Sequence, residues 1–125
     1  EERGLSSEVV FTGNISNVYE YYQAFDIFVM PSLYEGLPVT GVEAQTSGLK
    51  CIFADTITQE VSLVKDNVIF LPIGVNNLDL WSQKILSISR YNRIDCSKDI
   101  AKVGYSIDQL ANRITNFMEA QYNLN

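Results

Sequence analysis

The 125-residue sequence contains no histidine. Histidine is the commonest general base near neutral pH and the commonest transition-metal ligand, so chemistry of either kind that depends on imidazole is excluded within this chain. The cysteines, Cys51 in an apolar run and Cys96 in a polar segment, show no spacing typical of a disulfide framework or a zinc site. We therefore expect reduced thiols, no metal and no other cofactor.

Long apolar runs and an excess of positive charge are also lacking. No run of about 18 apolar residues, the minimum for a membrane-spanning helix, is present. The net charge of −6 argues against nucleic acid or an anionic membrane as a partner. Neither a start methionine nor a signal peptide is visible at Glu1, so we expect a cytoplasmic piece of a longer protein.

What is present resembles one ordinary globular domain over residues 1–125, with 46% hydrophobic residues. Runs of β-branched and aromatic residues predict strands over 8–13, 26–30, 49–54 and 67–72. Apolar residues at three- and four-residue intervals, with capping residues before them, predict helices over 18–25, 39–47, 58–65, 77–88, 98–104 and 107–122, and a loop over 91–97. This alternation predicts an α/β fold with an open, parallel, Rossmann-like sheet of about four strands, flanking helices and a long last helix.

The segment from Met30 to Ala44 is the strongest candidate for a functional site. It follows the buried strand over 26–30, breaks at Pro31 and leads through a Gly-Leu-Pro turn into a helix. Such a loop presents free backbone N–H groups and the positive end of a helix dipole at the carboxyl end of a strand. In open α/β sheets this edge binds ligands, and the arrangement suits a phosphate.

Two glutamates flank the start of this helix. Helical spacing places Val39, Val42, Glu43 and Thr46 on one face, so we expect Glu43 to project from a partly apolar surface. A carboxylate there needs hydrogen-bond donors, which are either ligand hydroxyls or a backbone N–H or lysine. Glu35 lies in the loop, where its charge favours neither role. The residues alone leave a binding and a structural role for Glu43 open.

The motif resembles that of a known family. The segment Pro31-Ser32-Leu33-Tyr34-Glu35-Gly36-Leu37-Pro38, followed by Glu43-Ala44-Gln45 and Ser47-Gly48-Leu49, is similar to the signature of retaining GT-B glycosyltransferases of bacterial capsule and exopolysaccharide synthesis, in which seven residues separate two glutamates. Phe11-Thr12-Gly13, Glu60-Val61 and Gly104-Tyr105-Ser106-Ile107 extend the similarity over most of the chain. The resemblance implies a truncated C-terminal, nucleotide-sugar-binding GT-B domain.

The resemblance also implies roles for individual residues. Glu35 is the expected catalytic residue, contacting hydroxyls of the transferred sugar, and Glu43 is expected to accept hydrogen bonds from the ribose. The residues expected to hold the sugar and diphosphate are Gly36, Leu37, Pro38, Val39 and Thr40, of which Pro38 offers only a carbonyl. Gly13 and Ile15 are expected near the base. Glu60 matches a recurrent glutamate of undefined role.

The implied reaction transfers a sugar, with retention, from a nucleotide-sugar (a UDP-sugar above all) to a glycan or lipid-linked acceptor. In this family the leaving diphosphate takes the acceptor's proton, and an Arg and a Lys stabilise its charge. None of the 9 Lys and Arg residues lies in a segment resembling that part of the family. Because the family's Arg and Lys come from the start of the donor domain, we expect that this start is missing and that the chain alone is inactive. We also expect that an N-terminal acceptor domain is missing and that the parent protein is peripheral at the inner face of the membrane.

Two alternatives from other classes stay open. One is a nucleotide-sugar epimerase of the same architecture, which the lack of histidine disfavours, and the other is a non-catalytic interaction module. In the family's strand order, missing strands separate the segment over 8–13 from that over 26–30, so we expect these two to pair with each other or to leave an edge through which the chain dimerises. Tyr22 is expected to pack rather than stack on a base, and Lys50 and Arg93 are expected to be solvated surface charges.

Overall fold

The computed structural model describes residues 4–122. Within that range three strands, β1 (Ile27–Met30), β2 (Lys50–Ala54) and β3 (Val68–Leu71), form one parallel sheet in the order β1-β2-β3. The α-helices are α1 (Val18–Ala24), α2 (Val39–Thr46), α3 (Leu78–Ile88), α4 (Ser97–Lys102) and α5 (Ile107–Tyr122). The predicted α/β fold, with an open parallel sheet, flanking helices and a long last helix, is confirmed.

The strand predicted over residues 8–13 is not formed, so the described part of the chain has three strands rather than about four. The apolar side chains of this segment are exposed, with Val10 at 82% and Phe11 at 94%. A strand needs a neighbouring strand to satisfy its backbone groups, and residues 8–13 pair with neither outer edge of the sheet within residues 4–122. The expected pairing of residues 8–13 with 26–30 is therefore wrong, whereas dimerisation through the outer edge of β1 stays a prediction.

Helices lie on both faces of the sheet. Alternation along the strands puts Phe28, Phe53 and Phe70 on one face, with neighbouring ring centroids 6.0 and 5.9 Å apart. Tyr22 of α1 extends this row, its ring 6.2 Å from that of Phe28. The opposite face carries α3, which is fastened by Trp81, whose Nε1 donates to the Pro72 carbonyl at 2.9 Å. The core is centred on β2, which is buried from its second residue to its last.

Gly41 allows α2 to lie directly on the sheet. A Cβ atom at this position would be 2.8 Å from Cζ of the fully buried Phe53. We expect Gly41→Ala to lower the free energy of unfolding by about 1–2 kcal/mol, because overpacking outweighs the roughly 1 kcal/mol that alanine gains over glycine in a helix. Urea denaturation measures the change. The matched control is Gly36→Ala, in which the new Cβ meets no atom within 4 Å and no overpacking is expected. If Gly41→Ala were as stable as wild type, the close packing of α2 on the sheet would be contradicted.

The helix predicted over residues 58–65 is replaced by two short 3-10 helices, Gln59–Val61 and Lys65–Asn67. Thr58 caps the first, its Oγ1 accepting from the N–H of Glu60 at 3.4 Å. Between them, the N–H groups of Leu63 and Val64 donate to the side chain of Gln45 on α2, both at 3.0 Å. Because these N–H groups bond to another element, they are not used in a continuous helix.

The loop predicted over residues 91–97 is confirmed up to Cys96, which precedes α4, but two charged side chains are not solvated as expected. Arg93 is half-buried, and its guanidinium donates to the carbonyl oxygens of Ser47, Gln23 and Phe25 at 2.6, 3.0 and 3.2 Å, where α2 and α1 end. Lys50 donates through Nζ to the Asp66 carbonyl. The expectation of two solvated surface charges is therefore wrong, since several backbone carbonyls converge on Arg93 and the half-buried Lys50 is bonded to that of Asp66.

Candidate functional site

The loop over residues 31–38 leaves the carboxyl end of β1 and enters α2, as predicted. Pro38 is buried at the N-cap position, and its carbonyl accepts from the N–H groups of Gly41 and Val42 at 3.0 and 3.3 Å. The first N–H groups of a helix have no intrahelical acceptor, and here they belong to the exposed residues Val39 and Thr40. This edge of the sheet therefore presents backbone donors and the positive end of the α2 dipole.

Glu35 is held within the loop by a neighbouring hydroxyl. Its Oε1 accepts from Ser32 Oγ at 2.8 Å, and the side chain is half-buried. The Ser32 carbonyl in turn accepts from Thr56 Oγ1 at 2.9 Å, which ties this loop to the one that follows β2. Gly36 and Leu37 are exposed. The loop is thus fastened near both ends, and the Glu35 carboxylate lies between the fastened points.

Glu43 lies in the second turn of α2 and is exposed. Its Oε2 accepts a hydrogen bond from the hydroxyl of Tyr22 at 3.1 Å, so the donor is neither a backbone N–H nor a lysine. The prediction that Glu43 projects from a partly apolar face is correct for Val42, which is buried, but not for Val39, which is 67% exposed. Since α2 packs against the sheet through Gly41 and its neighbours in the next turn, Glu43 projects beside the packed face, towards α1.

The helices α1 and α2 lie side by side and run in the same direction. Tyr22 meets Glu43, and one residue further along α1, Gln23 Nε2 meets Ser47 Oγ at 3.5 Å. The N-termini of both helices therefore lie at the carboxyl end of the sheet. In the segment before α1, Gly13 is exposed at a φ of 63° and Ile15 is half-buried.

The loop and the start of α2 thus place Glu35, Val39 and Thr40 beyond the carboxyl end of β1, with Glu43 one turn further along α2. Glu60 is exposed in the 3-10 helix that follows β2. Two further side chains that hold the glutamates, Ser32 and Tyr22, are not apparent from sequence reasoning. Ser32 is three residues from Glu35, so local spacing offers a signal for it. Tyr22 is 21 residues from Glu43, and only the adjacency of α1 and α2 brings it close.

The hydroxyl of Tyr22 titrates abnormally. Burial, and then the negative charge of Glu43 and the hydrogen bond to it, raise the pKa of Tyr22 from 10.0 to about 12. The neutral hydroxyl is therefore favoured in the folded chain, and Tyr22 remains a hydrogen-bond donor throughout the pH range in which enzymes normally work.

Raising the pH above about 10 should remove part of the stability that this hydroxyl provides. Because the folded-state pKa lies above the unfolded-state value, the contribution is complete below pH 10.0 and is lost as the pH rises towards about 12. We expect the difference in free energy of unfolding between wild type and Tyr22→Phe to be constant from about pH 7 to 9 and to shrink above about pH 10. Urea denaturation at stepped pH measures it, and a difference that stays constant throughout would contradict the shift.

Both cysteines, Cys51 and Cys96, are buried and form no disulfide within residues 4–122. Burial raises the pKa of Cys51 to about 12, and burial together with Asp99 and Asp95 raises that of Cys96, so neither thiol is a ready nucleophile near neutral pH. Across residues 4–122, no three carboxylate or thiol side chains are grouped closely enough to share a metal ion. No helix in this part of the chain has the length and apolar character needed to cross a membrane.

Comparison with known proteins establishes the family. The family model "Glycosyl transferases group 1" matches residues 1–102, and the chain therefore belongs to this family. The resemblance drawn from the two-glutamate motif is confirmed at this level. No solved structure matches the chain significantly.

Three bacterial proteins are similar to it. EpsF of Bacillus subtilis (strain 168), a protein named provisionally as a glycosyltransferase, is 37% identical over 118 residues, which cover 92% of this chain and 30% of EpsF. The UDP-Gal:alpha-D-GlcNAc-diphosphoundecaprenol alpha-1,3-galactosyltransferase of Escherichia coli is 30% identical over 88 residues, 70% of this chain and 22% of that enzyme. The lipopolysaccharide core biosynthesis mannosyltransferase LpsB of Rhizobium meliloti (strain 1021) is 35% identical over 52 residues, 42% and 15% of the two chains. The chain thus spans 30% or less of the length of these curated relatives.

Proposed function

We propose that this chain is the donor-binding part of a retaining glycosyltransferase, a hexosyltransferase that uses a nucleotide-sugar in the synthesis of a bacterial surface polysaccharide. Membership of the group 1 family supports the reaction class. The observation that carries donor binding is the fastened loop over residues 31–38, which enters α2 at the carboxyl end of β1 with a carboxylate on either side of the helix start.

In this proposal the diphosphate binds at the N-terminus of α2. The N–H groups of Val39 and Thr40 donate to phosphate oxygens, and the exposed Gly36 and Leu37 let the ligand approach the backbone. At a rise of about 1.5 Å per residue, Glu43 lies about 6 Å further along the α2 axis than Val39, a spacing that one nucleoside diphosphate can bridge. Glu43 then accepts from the ribose, and Glu35 from hydroxyls of the sugar.

The remaining chemistry is assigned outside these residues. A departing diphosphate that takes the acceptor's proton needs no side-chain base, but it needs cationic groups close to its phosphates. We propose that these come from a donor-domain segment outside the 125 residues and that the 125 residues alone do not turn over substrate. The name of the Escherichia coli relative supports a UDP-sugar donor and a lipid-linked acceptor, and that of the Rhizobium meliloti relative supports a glycan acceptor. We propose that the parent protein works at the cytoplasmic face of the membrane.

Titration calorimetry on the full-length protein tests donor binding. We expect Glu43→Ala to weaken UDP and UDP-sugar binding by about tenfold or more, since a hydrogen bond to a charged acceptor contributes about 1.5–3 kcal/mol. Glu35→Ala should weaken the binding of UDP-glucose and UDP-galactose but not that of UDP, because the proposal places Glu35 against the sugar. Glu119→Ala, an exposed glutamate on α5, is the matched control and should bind as wild type does.

Four outcomes would overturn parts of the proposal. Nucleotide-sugar binding that is absent, or indifferent to both glutamates, favours a non-catalytic module. Conversion of the donor to a free epimer without acceptor favours an epimerase. Transfer by the 125 residues alone would refute the proposed inactivity, and an inverted anomeric configuration in the product, measured by NMR, would refute retention.

A further inference from the structure

We propose that Tyr22 is the residue that positions Glu43 for the nucleotide, an inference that rests on the proposed function. The Tyr22 side chain is anchored in the core, where only 3% of the residue is exposed. Its ring makes edge contacts with Phe25 and Phe28 at centroid distances of 6.3 and 6.2 Å. From this fixed base the hydroxyl reaches out of the core to Oε2 of Glu43 at 3.1 Å.

Glu43 needs such an anchor because it is a long side chain on an exposed helix surface. Ordering a free glutamate on ligand binding consumes side-chain conformational entropy, and an existing hydrogen bond removes most of that cost before the ligand arrives. The Tyr22 hydroxyl occupies Oε2 and leaves Oε1 for a ribose hydroxyl. A carboxylate that is already turned in the required direction binds the ribose more tightly.

The chemical nature of the anchor matters as well. A lysine or arginine in place of Tyr22 would neutralise Glu43 and weaken it as an acceptor, whereas a neutral hydroxyl leaves its charge intact. The raised pKa of Tyr22 keeps that hydroxyl protonated, so it donates over the working pH range. The backbone of Tyr22 is itself held, because its carbonyl accepts from Nη2 of Arg93 at 2.5 Å.

A double-mutant cycle on the full-length protein tests the proposal, with whichever of UDP and GDP binds more tightly as the probe. We expect Tyr22→Phe to weaken binding about threefold to tenfold in the wild-type background and not at all in the Glu43→Ala background. The 2′,3′-dideoxy form of the same nucleotide should bind Tyr22→Phe and wild type equally, because it lacks the hydroxyls that Glu43 receives. Tyr21→Phe removes a hydroxyl from the same helix and should change nothing.

Each other result overturns the proposal in a recognisable way. If Glu43→Ala weakens binding but Tyr22→Phe does not, the positioning role is refuted and the proposed function stands. Tyr22→Phe could instead weaken the binding of the ribo- and dideoxy-nucleotides equally, or weaken binding equally in the wild-type and Glu43→Ala backgrounds. Either result would show that the hydroxyl has a general structural role. If neither nucleotide binds, or neither variant alters binding, the proposed function fails and this inference fails with it. Near-UV circular dichroism verifies that Tyr22→Phe, which keeps the packed ring and removes only the hydroxyl, is folded.

Discussion

Replacement of Gln45 by leucine should lower the free energy of unfolding by about 4 kcal/mol, the largest effect that we expect from a single substitution in this chain. Gln45 is completely buried on α2, and its amide makes all the hydrogen bonds available to it. Nε2 donates to the carbonyls of Gly41 and Val61 at 2.9 and 2.7 Å, while Oε1 accepts from the N–H groups of Leu63 and Val64, both at 3.0 Å.

The magnitude follows from what leucine leaves behind. It fills a similar volume, but it leaves the N–H of Val64 without a partner, whereas the N–H of Leu63 and the carbonyl of Val61 keep only the 3.0 Å hydrogen bond between them. The cost is about 1–3 kcal/mol for the unsatisfied N–H and about 0.5–1.5 kcal/mol for each other hydrogen bond lost. Urea denaturation measures the loss. Gln83→Leu, the same change on an exposed position of α3, should stay within about 0.5 kcal/mol of wild type. A loss below about 1 kcal/mol for Gln45→Leu would show that water replaces the amide at this site.

The companion variant Gln45→Glu distinguishes the contribution of the donating Nε2 group from that of the accepting Oε1 atom. It keeps an oxygen for the two N–H groups but turns a second oxygen towards the carbonyls of Gly41 and Val61. Burial and those carbonyls favour the protonated form and so raise the pKa of the introduced carboxyl in the folded state. Its stability deficit should therefore shrink as the pH falls towards about 4 and grow as the pH rises, whereas that of Gln45→Leu should not depend on pH.

Removal of the Arg93 guanidinium has the second-largest expected effect, a loss of about 3 kcal/mol in Arg93→Ala. The side chain donates to carbonyl oxygens at the C-termini of α1 and α2, among them those of Ser47, Gln23 and Phe25. A cation at this position also stabilises the negative ends of two helix dipoles, and each of these interactions contributes about 0.3–1 kcal/mol. The loss is smaller than for Gln45 because the half-buried site lets water reach some of the freed carbonyls.

Two variants distinguish charge from geometry at this position. Arg93→Lys keeps the charge, but a single ammonium group cannot reproduce the planar fork that spans both helix ends, so we expect it to recover less than half of the loss. Arg90→Ala removes an exposed arginine at the end of α3 and should be neutral within about 0.5 kcal/mol. Thermal and urea denaturation measure all three. Full rescue by lysine would show that the dipole interaction, rather than the hydrogen-bond fork, stabilises this junction.

How far the sequence predicts the fold depends on whether a feature is local. The strands around Phe28, Cys51 and Ile69 were predictable because each is a short apolar run, and α2 was predictable from the glycine that ends it. Gly48 follows α2 with a φ of 78°, and its N–H and that of Leu49 close the helix on the carbonyls of Gln45 and Ala44. Residues 8–13 have the same local pattern as the true strands, but a strand also needs a neighbour, and local pattern contains no information about neighbours.

The candidate site divides in the same manner. Glu35 and Glu43 could be identified from the sequence because the loop, the proline turn and the helix start are contiguous. Many residues of this segment also match a known motif. The tyrosine that holds Glu43 and the arginine that joins two helix ends could not, because each makes contacts across at least 21 residues of sequence. A buried amide such as that of Gln45 is equally hidden, since nothing in its own segment indicates where its partners lie.

The shared fastening of α1 and α2 has a mechanical consequence. The hydrogen bond between Tyr22 and Glu43 joins the two helices, and Arg93 joins their C-termini. We therefore expect α1 and α2 to move as one rigid unit. We expect the distance between the N-termini of α1 and α2 to change little when a ligand binds. Rearrangement on binding should therefore be confined to the loop over residues 31–38, which precedes α2.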